Sequence, residues 1–175
     1  GELEAELPIA KREFVARTGE LFETDPSFER RIAAFLEWYT LDRKLSFKPE
    51  MTPVELFLAR RRDGNADMAR VVDLTRSVLS LYEYKRAADE RLGCVDLLSN
   101  SKIEVYERRR PAALVSGDIL EARAIPWGDK LLFGAAYGVL PREARRAIQK
   151  ACKRFRKQGG DRLQLVHRVA YLNNR

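Results

Sequence analysis

The stretch "SGDILEARAIPWGDKLLFGAAYG", residues 116 to 138, decides the fold class, because an apolar alternation runs into Gly128-Asp129 and out again through small residues. Period-two alternation around a Gly-Asp pair is the signature of a β-hairpin with a two-residue loop, and Gly in the first loop position suits a type II′ turn. Such a loop sets a register: Trp127 opposite Lys130, Ile125 opposite Leu132, Arg123 opposite Gly134 and Glu121 opposite Ala136. One face then carries Leu120, Ala122 and Ala124 against Tyr137, Ala135 and Phe133, small residues set against large ones as a packed core requires. The other carries Ile119, Glu121, Arg123 and Ile125 opposite Gly138, Ala136, Gly134 and Leu132, with almost no bulk beside the two charges. Two readings stay open for this second face. Either a helix of the same chain covers it and pairs Arg123 with a buried carboxylate, or a protein partner docks on Glu121, Arg123, Trp127 and Gly134, with Arg123 and Trp127 as anchors.

Upstream, "RLGCVDLLSNSKIEVYERRR" (91–110) offers two more short strands with Ser99-Asn100-Ser101 as their turn. Before these the period is helical. In "TDPSFERRIAAFLEWYTLDRKL" (24–45), Asp25 stands as N-cap ahead of Pro26, and Phe28, Ile32, Phe35, Leu36 and Tyr39 share one face. Thr52 and Glu55 form a capping box around Pro53, and Asp63-Gly64 is expected to end that helix. From Asn65 the residues Met68, Val71, Val72, Thr75, Val78, Leu79 and Tyr82 follow helical spacing for five turns, which predicts the longest helix of the chain, running to about Arg86. An earlier helix across "IAKREFVARTGELF" (9–22) is interrupted by Gly19, at a cost of about 1 kcal/mol against alanine.

After the hairpin, "LPREARRAIQKACKRFRKQGG" (140–160) resumes helical period, with Ala144, Ala147, Ile148, Ala151, Cys152 and Phe155 in one stripe and Gly159-Gly160 as the stop. A last helix follows Asp161. The expected fold is therefore α+β: an N-terminal helical region (1–86), a small antiparallel β unit (87–140) and a C-terminal basic helical pair (141–175), as one compact fold or two closely packed subdomains.

Charge is unevenly placed. The chain of 175 residues carries +7 at neutral pH, and residues 142 to 175 hold 11 Lys or Arg against 2 acids, so the first 141 are slightly acidic. Local charge of one sign speaks of partners and association rate. On a helical wheel Arg142, Arg145, Arg146, Lys150, Lys153, Arg154, Arg156 and Lys157 fill most of the arc outside the apolar stripe, with Glu143 the one acid. Such a face suits phosphates or an acidic protein, against the alternative of a merely solvated face. Against base readout it has no Asn and one Gln before the closing turn, and its mostly alanine apolar side is poor for a membrane surface.

Other chemistries lack their residues. No apolar run approaches the ~20 residues of a membrane span, and the acidic start does not resemble a signal peptide. Cys94 and Cys152 have no paired spacing, so they read as buried apolar residues in a reducing, cytoplasmic setting, with neither a metal site nor a cofactor expected. His167, the only histidine, borders the stripe Leu163, Val166 and Ala170, where packing rather than catalysis is expected. Asp63, Asn65 and Asp67 have the first three spacings of a calcium loop, but Met68 stands where its glycine belongs and Leu74 where its twelfth-position acid belongs. Nothing marks Asp89, Glu90, Asp96 or Glu104 as an acid-base pair. No phosphate-binding glycine motif and no nucleophile elbow occurs.

"FLEWYTLDRKL" (35–45) with "TPVELFL" (52–58), then "VDLLSN" (95–100), "GDILEARAIPWGD" (117–129) and the "G…LP" that ends at Pro141, resemble a loosely defined group of bacterial proteins, some of which carry a C-terminal SEC-C zinc motif. The resemblance implies a helical region followed by a β unit and a bacterial origin, and nothing about mechanism. The cysteine-rich SEC-C motif is absent here, so its zinc is not carried over. The expected role is a non-enzymatic binding or adaptor module that engages a protein partner through the β unit, the basic C-terminal helix or both. The alternative is nucleic-acid binding without sequence preference through residues 142 to 157.

Overall fold

A computed structural model describes residues 1–61, 66–107 and 114–173. The architecture is α+β, with helices at both ends of a central sheet. α1 (Glu2–Thr18) stops at Gly19, whose φ of 92° lies in the region glycine favours. α2 (Phe28–Leu41) begins two residues later than the Asp25 cap suggested: Asp25 and Pro26 form a turn instead, and Ser27 takes the N-cap position. α3 (Pro53–Arg60) has the expected capping box, with the Thr52 amide donating to Glu55 Oε2 at 2.7 Å and the Glu55 amide to Thr52 Oγ1 at 3.3 Å. The expected stop at Asp63-Gly64 and the first two positions of the rejected calcium loop, Asp63 and Asn65, lie outside the described residues.

The five-turn helix expected from Asn65 to Arg86 is two elements. α4 (Ala66–Thr75) takes its first part, and β1 (Val78–Ala88) takes the rest. "VLSLYEY" satisfies both periods, since Val78, Leu79 and Tyr82 sit at helical spacing while alternate residues also separate into two faces. Pairing decides between them: the first half of β1 bonds to β4 (Ile119–Trp127) and its second half to β2 (Arg91–Asp96), both antiparallel. Buried Leu81 and Tyr82 point to opposite sides of the sheet, so this strand is covered on both faces.

β2 pairs with β3 (Lys102–Tyr106) through a turn that starts at Leu97, two residues before the expected Ser99-Asn100-Ser101, and β4 with β5 (Lys130–Phe133) in the expected register at Trp127/Lys130 and Ile125/Leu132. Beyond Ala124 the register departs from expectation. The Gly134 amide still bonds the Arg123 carbonyl at 2.9 Å, but a turn at Ala135-Ala136 follows, and Glu121 lies opposite Gly138 of β6 (Gly138–Val139) rather than opposite Ala136. Two extra residues are looped out there. β3 meets β5 in parallel at Tyr106 and Leu132, so the pairings β1-β2-β3-β5-β4 return to β1. The β unit is thus larger than expected, and its five strands close into a barrel.

Tyr82, Leu92, Cys94, Val105, Leu120, Ala122, Ala124 and Phe133 fill the barrel; of the hairpin face expected in the core, Ala135 is instead exposed in the turn and Tyr137 only borders the cluster. A second core joins Leu81, Leu97 and Ile119 on the barrel's outside to Ile148 and Cys152 of α5 (Arg145–Gln158) and Val166 and Val169 of α6 (Arg162–Asn173). A third, aromatic core packs Phe14 of α1 against Phe35 and Trp38 of α2.

The buried guanidinium of Arg43 fastens α1 to the segment after α2: its Nε and Nη2 donate to the Glu13 carboxylate at 2.9 and 3.0 Å, and Nη1 donates to buried Glu6. Burial alone would raise Glu6, yet its bonds from Arg43 and Ser46 hold it below the usual carboxylate range. Removing one partner of a buried pair leaves the other charge stranded. Arg43→Ala is expected to lower unfolding free energy by about 3 kcal/mol, whereas Lys44→Ala, at the exposed pair with Glu55, should cost under about 1 kcal/mol. Urea denaturation of both variants checks the contrast.

Candidate functional site

The charged face of the hairpin is covered by α2. Arg123, 2% exposed, donates through Nη2 to Asp42 and through Nη1 to Ser77 Oγ at 3.2 Å, while its Nε stands 3.6 Å from Glu37 Oε2. Glu37 accepts from the Ala136 amide at 3.2 Å and occupies the space over Gly134, where a β-carbon would collide with its carboxylate. Arg30 lies 3.9 Å from buried Glu121 and passes over Gly138 in the same way. Burial pushes Glu37, Asp42 and Glu121 above the usual carboxylate range, opposed by Arg123 for the first two and by Arg30 and Arg31 for Glu121. Arg31 reaches back to the Thr18 and Gly19 carbonyls at 3.1 and 2.6 Å, satisfying the C-terminal end of α1.

Of the four residues expected to receive a protein partner, Glu121, Arg123 and Gly134 are therefore sealed beneath α2. Trp127 alone reaches the surface, 38% exposed, with the Arg70 guanidinium of α4 4.4 Å from its ring centre. The open backbone at Gly134 is the seat of an intramolecular carboxylate.

A cavity of about 20 Å³ lies in this interface, lined by Arg31, Glu37, Glu121, Arg123 and His167 among others. Arg31 Nε, Arg123 Nε and His167 Nδ1 are buried with no hydrogen-bond partner among the described residues. The space is that of one water molecule, with polar groups to hold it. His167 itself is packed edge-on against Phe14 and Trp38, with ring centres 5.9 and 6.1 Å away, and burial, with the charges of Arg17 and Arg123, pushes its pKa down to about 4. Cys94 and Cys152 are buried thiols pushed up to about 12 and about 11 by burial.

The basic C-terminal residues divide by geometry. Arg142 grips buried Asp118 with Nε to Oδ1 at 2.8 Å and Nη2 to Oδ2 at 3.0 Å, which holds that carboxylate below its usual range. Arg145 pairs with Glu83 at 3.3 Å, and Arg156 donates to the Leu97 carbonyl. Arg145 and Arg156 fasten α5 to the barrel, and Arg142 fastens the 3-10 turn that leads into it. Arg146, Lys150, Lys153, Arg154 and Lys157 are exposed, with no ion pair among the described residues. At 100° per residue the five fall within an arc of about 100°, and Arg146 and Lys157 stand about 17 Å apart along the axis. The expectation of eight equivalent cations thus becomes three structural arginines and five outward ones.

A groove of about 1150 Å³ runs between α5, α6 and the end of α1. No cluster of His, Cys, Asp or Glu that could hold a metal occurs among the described residues, nor is any of their helices long and apolar enough to cross a membrane. Comparison with protein-family models, with curated proteins and with solved structures returns no match, so the resemblance of residues 28–141 to SEC-C-related proteins gains no support there.

Sequence reasoning missed Glu37, Asp42, Arg30 and Arg31 because they lie beside the apolar face of α2 and read as its solvated side. Arg30, Ala34 and Glu37 at i, i+4 and i+7 were the available signal, a mixed-sign row that matches the Glu121/Arg123 pair.

Gly134→Ala is expected to destabilise the fold by about 1–3 kcal/mol, the range for overpacking. Combined with Glu37→Ala the loss should be less than additive, which a double-mutant cycle by denaturation measures. His167 gives a pH dependence with a definite sign. Its folded pKa lies below the unfolded 6.5, so between pH 6.5 and 4 the unfolded chain binds the proton first and stability falls, by up to about 3 kcal/mol. The raised carboxylates act in the opposite direction, so the difference between the parent and His167→Leu isolates the histidine: thermal unfolding from pH 7 to 4.5 should show a less acid-sensitive variant.

Proposed function

We propose that this chain is a non-catalytic binding module that holds a nucleic-acid backbone on the outer face of α5. The supporting observation is the row of Arg146, Lys150, Lys153, Arg154 and Lys157, five exposed cations on one face with no acid among them. A solvated helix face ordinarily mixes signs, because neighbouring opposite charges stabilise the helix. Five like charges in one arc repel one another instead, and an external polyanion relieves that repulsion. Binding is through phosphates: no Asn lies on α5, and its one Gln between the outward cations, Gln149, is half-buried at the edge of the arc. A closed five-stranded barrel is also among the architectures used for oligonucleotides, although the same architecture serves other ligands.

Counterion release sets the expected behaviour. Affinity for a random-sequence duplex should fall with salt along a log-log slope of about −4 to −5, from about −0.9 per phosphate neutralised. Replacing Arg146 and Lys153 together by Ala should reduce that slope by about 2 without changing sequence preference. Fluorescence anisotropy across a salt series measures both, and no binding at micromolar protein in low salt would refute the reading.

A further inference from the structure

We propose that the groove between α5 and α6 is a docking site for an acidic amphipathic helix of a partner protein. This goes beyond the nucleic-acid reading and is carried by a different surface, the apolar side of the same helix. The apolar stripe of α5 is split lengthwise: Ile148 and Cys152 are buried in the core, while Ala147 is exposed and Ala151 and Phe155 are half-buried toward the groove. Across from them α6 presents Leu165 and Leu172, the latter 61% exposed, and α1 closes one end with Ala16 and Arg17. Phe155 and Leu165 also touch the core from its edge, so the groove side of the stripe is left partly covered inside a concave surface.

Size and charge choose the occupant. The volume exceeds the ~300–1000 Å³ typical of small-molecule pockets, and the α5 wall, 14 residues long, extends about 21 Å, which matches a helix of about four turns. Ala147 and Ala151 supply little bulk, so the occupant brings its own, as Leu or Phe at i, i+3, i+4 and i+7. Arg17, Lys150, Arg154 and Arg168 line the groove against the single acid Asp161, so the flanks of the incoming helix carry Glu or Asp. A phosphate backbone has no use for the apolar floor, and a flat bilayer does not enter a concave seat. Lys150 and Arg154 belong to this rim and to the outward row as well, so helix and nucleic acid compete.

The test uses a fluorescent peptide of about four helical turns, with Leu at i, i+3, i+4 and i+7 and Glu between, against a scrambled peptide of the same composition. The amphipathic peptide should bind at least about tenfold more tightly than the scrambled one, and Ala151→Glu or Leu172→Glu should each remove most of that difference. Leu172 is exposed, so its variant keeps the test valid should Ala151→Glu disturb folding. Equal affinity for the two peptides, or unchanged affinity in Leu172→Glu, would overturn the groove. Duplex binding by Leu172→Glu is measured in parallel and should be retained, because Leu172 lies outside the outward row. Loss of duplex binding in the parent with peptide binding intact sinks only the nucleic-acid reading.

Discussion

The clamp of Arg123 between Asp42, Ser77 and Glu37 is the constraint on which the rest of the molecule depends. A guanidinium on a barrel strand, two carboxylates on and just after α2, and a glycine that makes room for one of them bring two different layers to a single distance and angle. Charges taken out of water so completely are a poor source of net stability, but they are costly to misplace. Their value is specificity: α2 has one seat on the barrel, and α1, held to it by Arg31 and the aromatic core, follows. α6 then closes over the same place with His167, whose neutral ring is what a cavity already lined by three arginines accommodates.

Much of this was legible in the chain. The Gly128-Asp129 loop, the Thr52/Glu55 capping box and the Ala124/Phe133 pair beside the hairpin turn all depend on neighbours a few residues apart, and local chemistry dictated each. What escaped reading depends on distant partners. Residues 78–86 have helical and strand periods at once; pairing with β2 resolves the second half, and only β4, some forty residues on, resolves 78–81. The register beyond Ala124 changes because β6 takes the place opposite Glu121. That the Glu121/Arg123 face belonged to α2 rather than to a partner was one of two open readings, and the mixed-sign row of Arg30 and Glu37 on α2 was the pointer that separates them.

The C-terminal helix shows how composition can mislead about number while being right about kind. Eight basic residues in a row of sixteen suggested one broad cationic surface. In three dimensions Arg142, Arg145 and Arg156 are consumed in holding α5 and the turn that leads into it to Asp118, Glu83 and the Leu97 carbonyl, and the remainder face outward in a narrow row. The apolar stripe divides along the same principle, one half in the core and one half lining the groove. A single amphipathic helix therefore has three working faces, a separation that a two-colour helical wheel cannot display.

The double pairing of β1 carries a consequence for how the chain is made. Residues 78–81 meet their strand partners only at 121–124, whereas the rest of β1 pairs with the next strand, so during synthesis from the N-terminus these four exist for some time with no edge to join. In that interval their helix-compatible spacing is the one local order they can express, continuous with the helix just before them. Closing the barrel therefore waits on a contact across some forty residues of chain, a long-loop pairing of the kind that is slow to form.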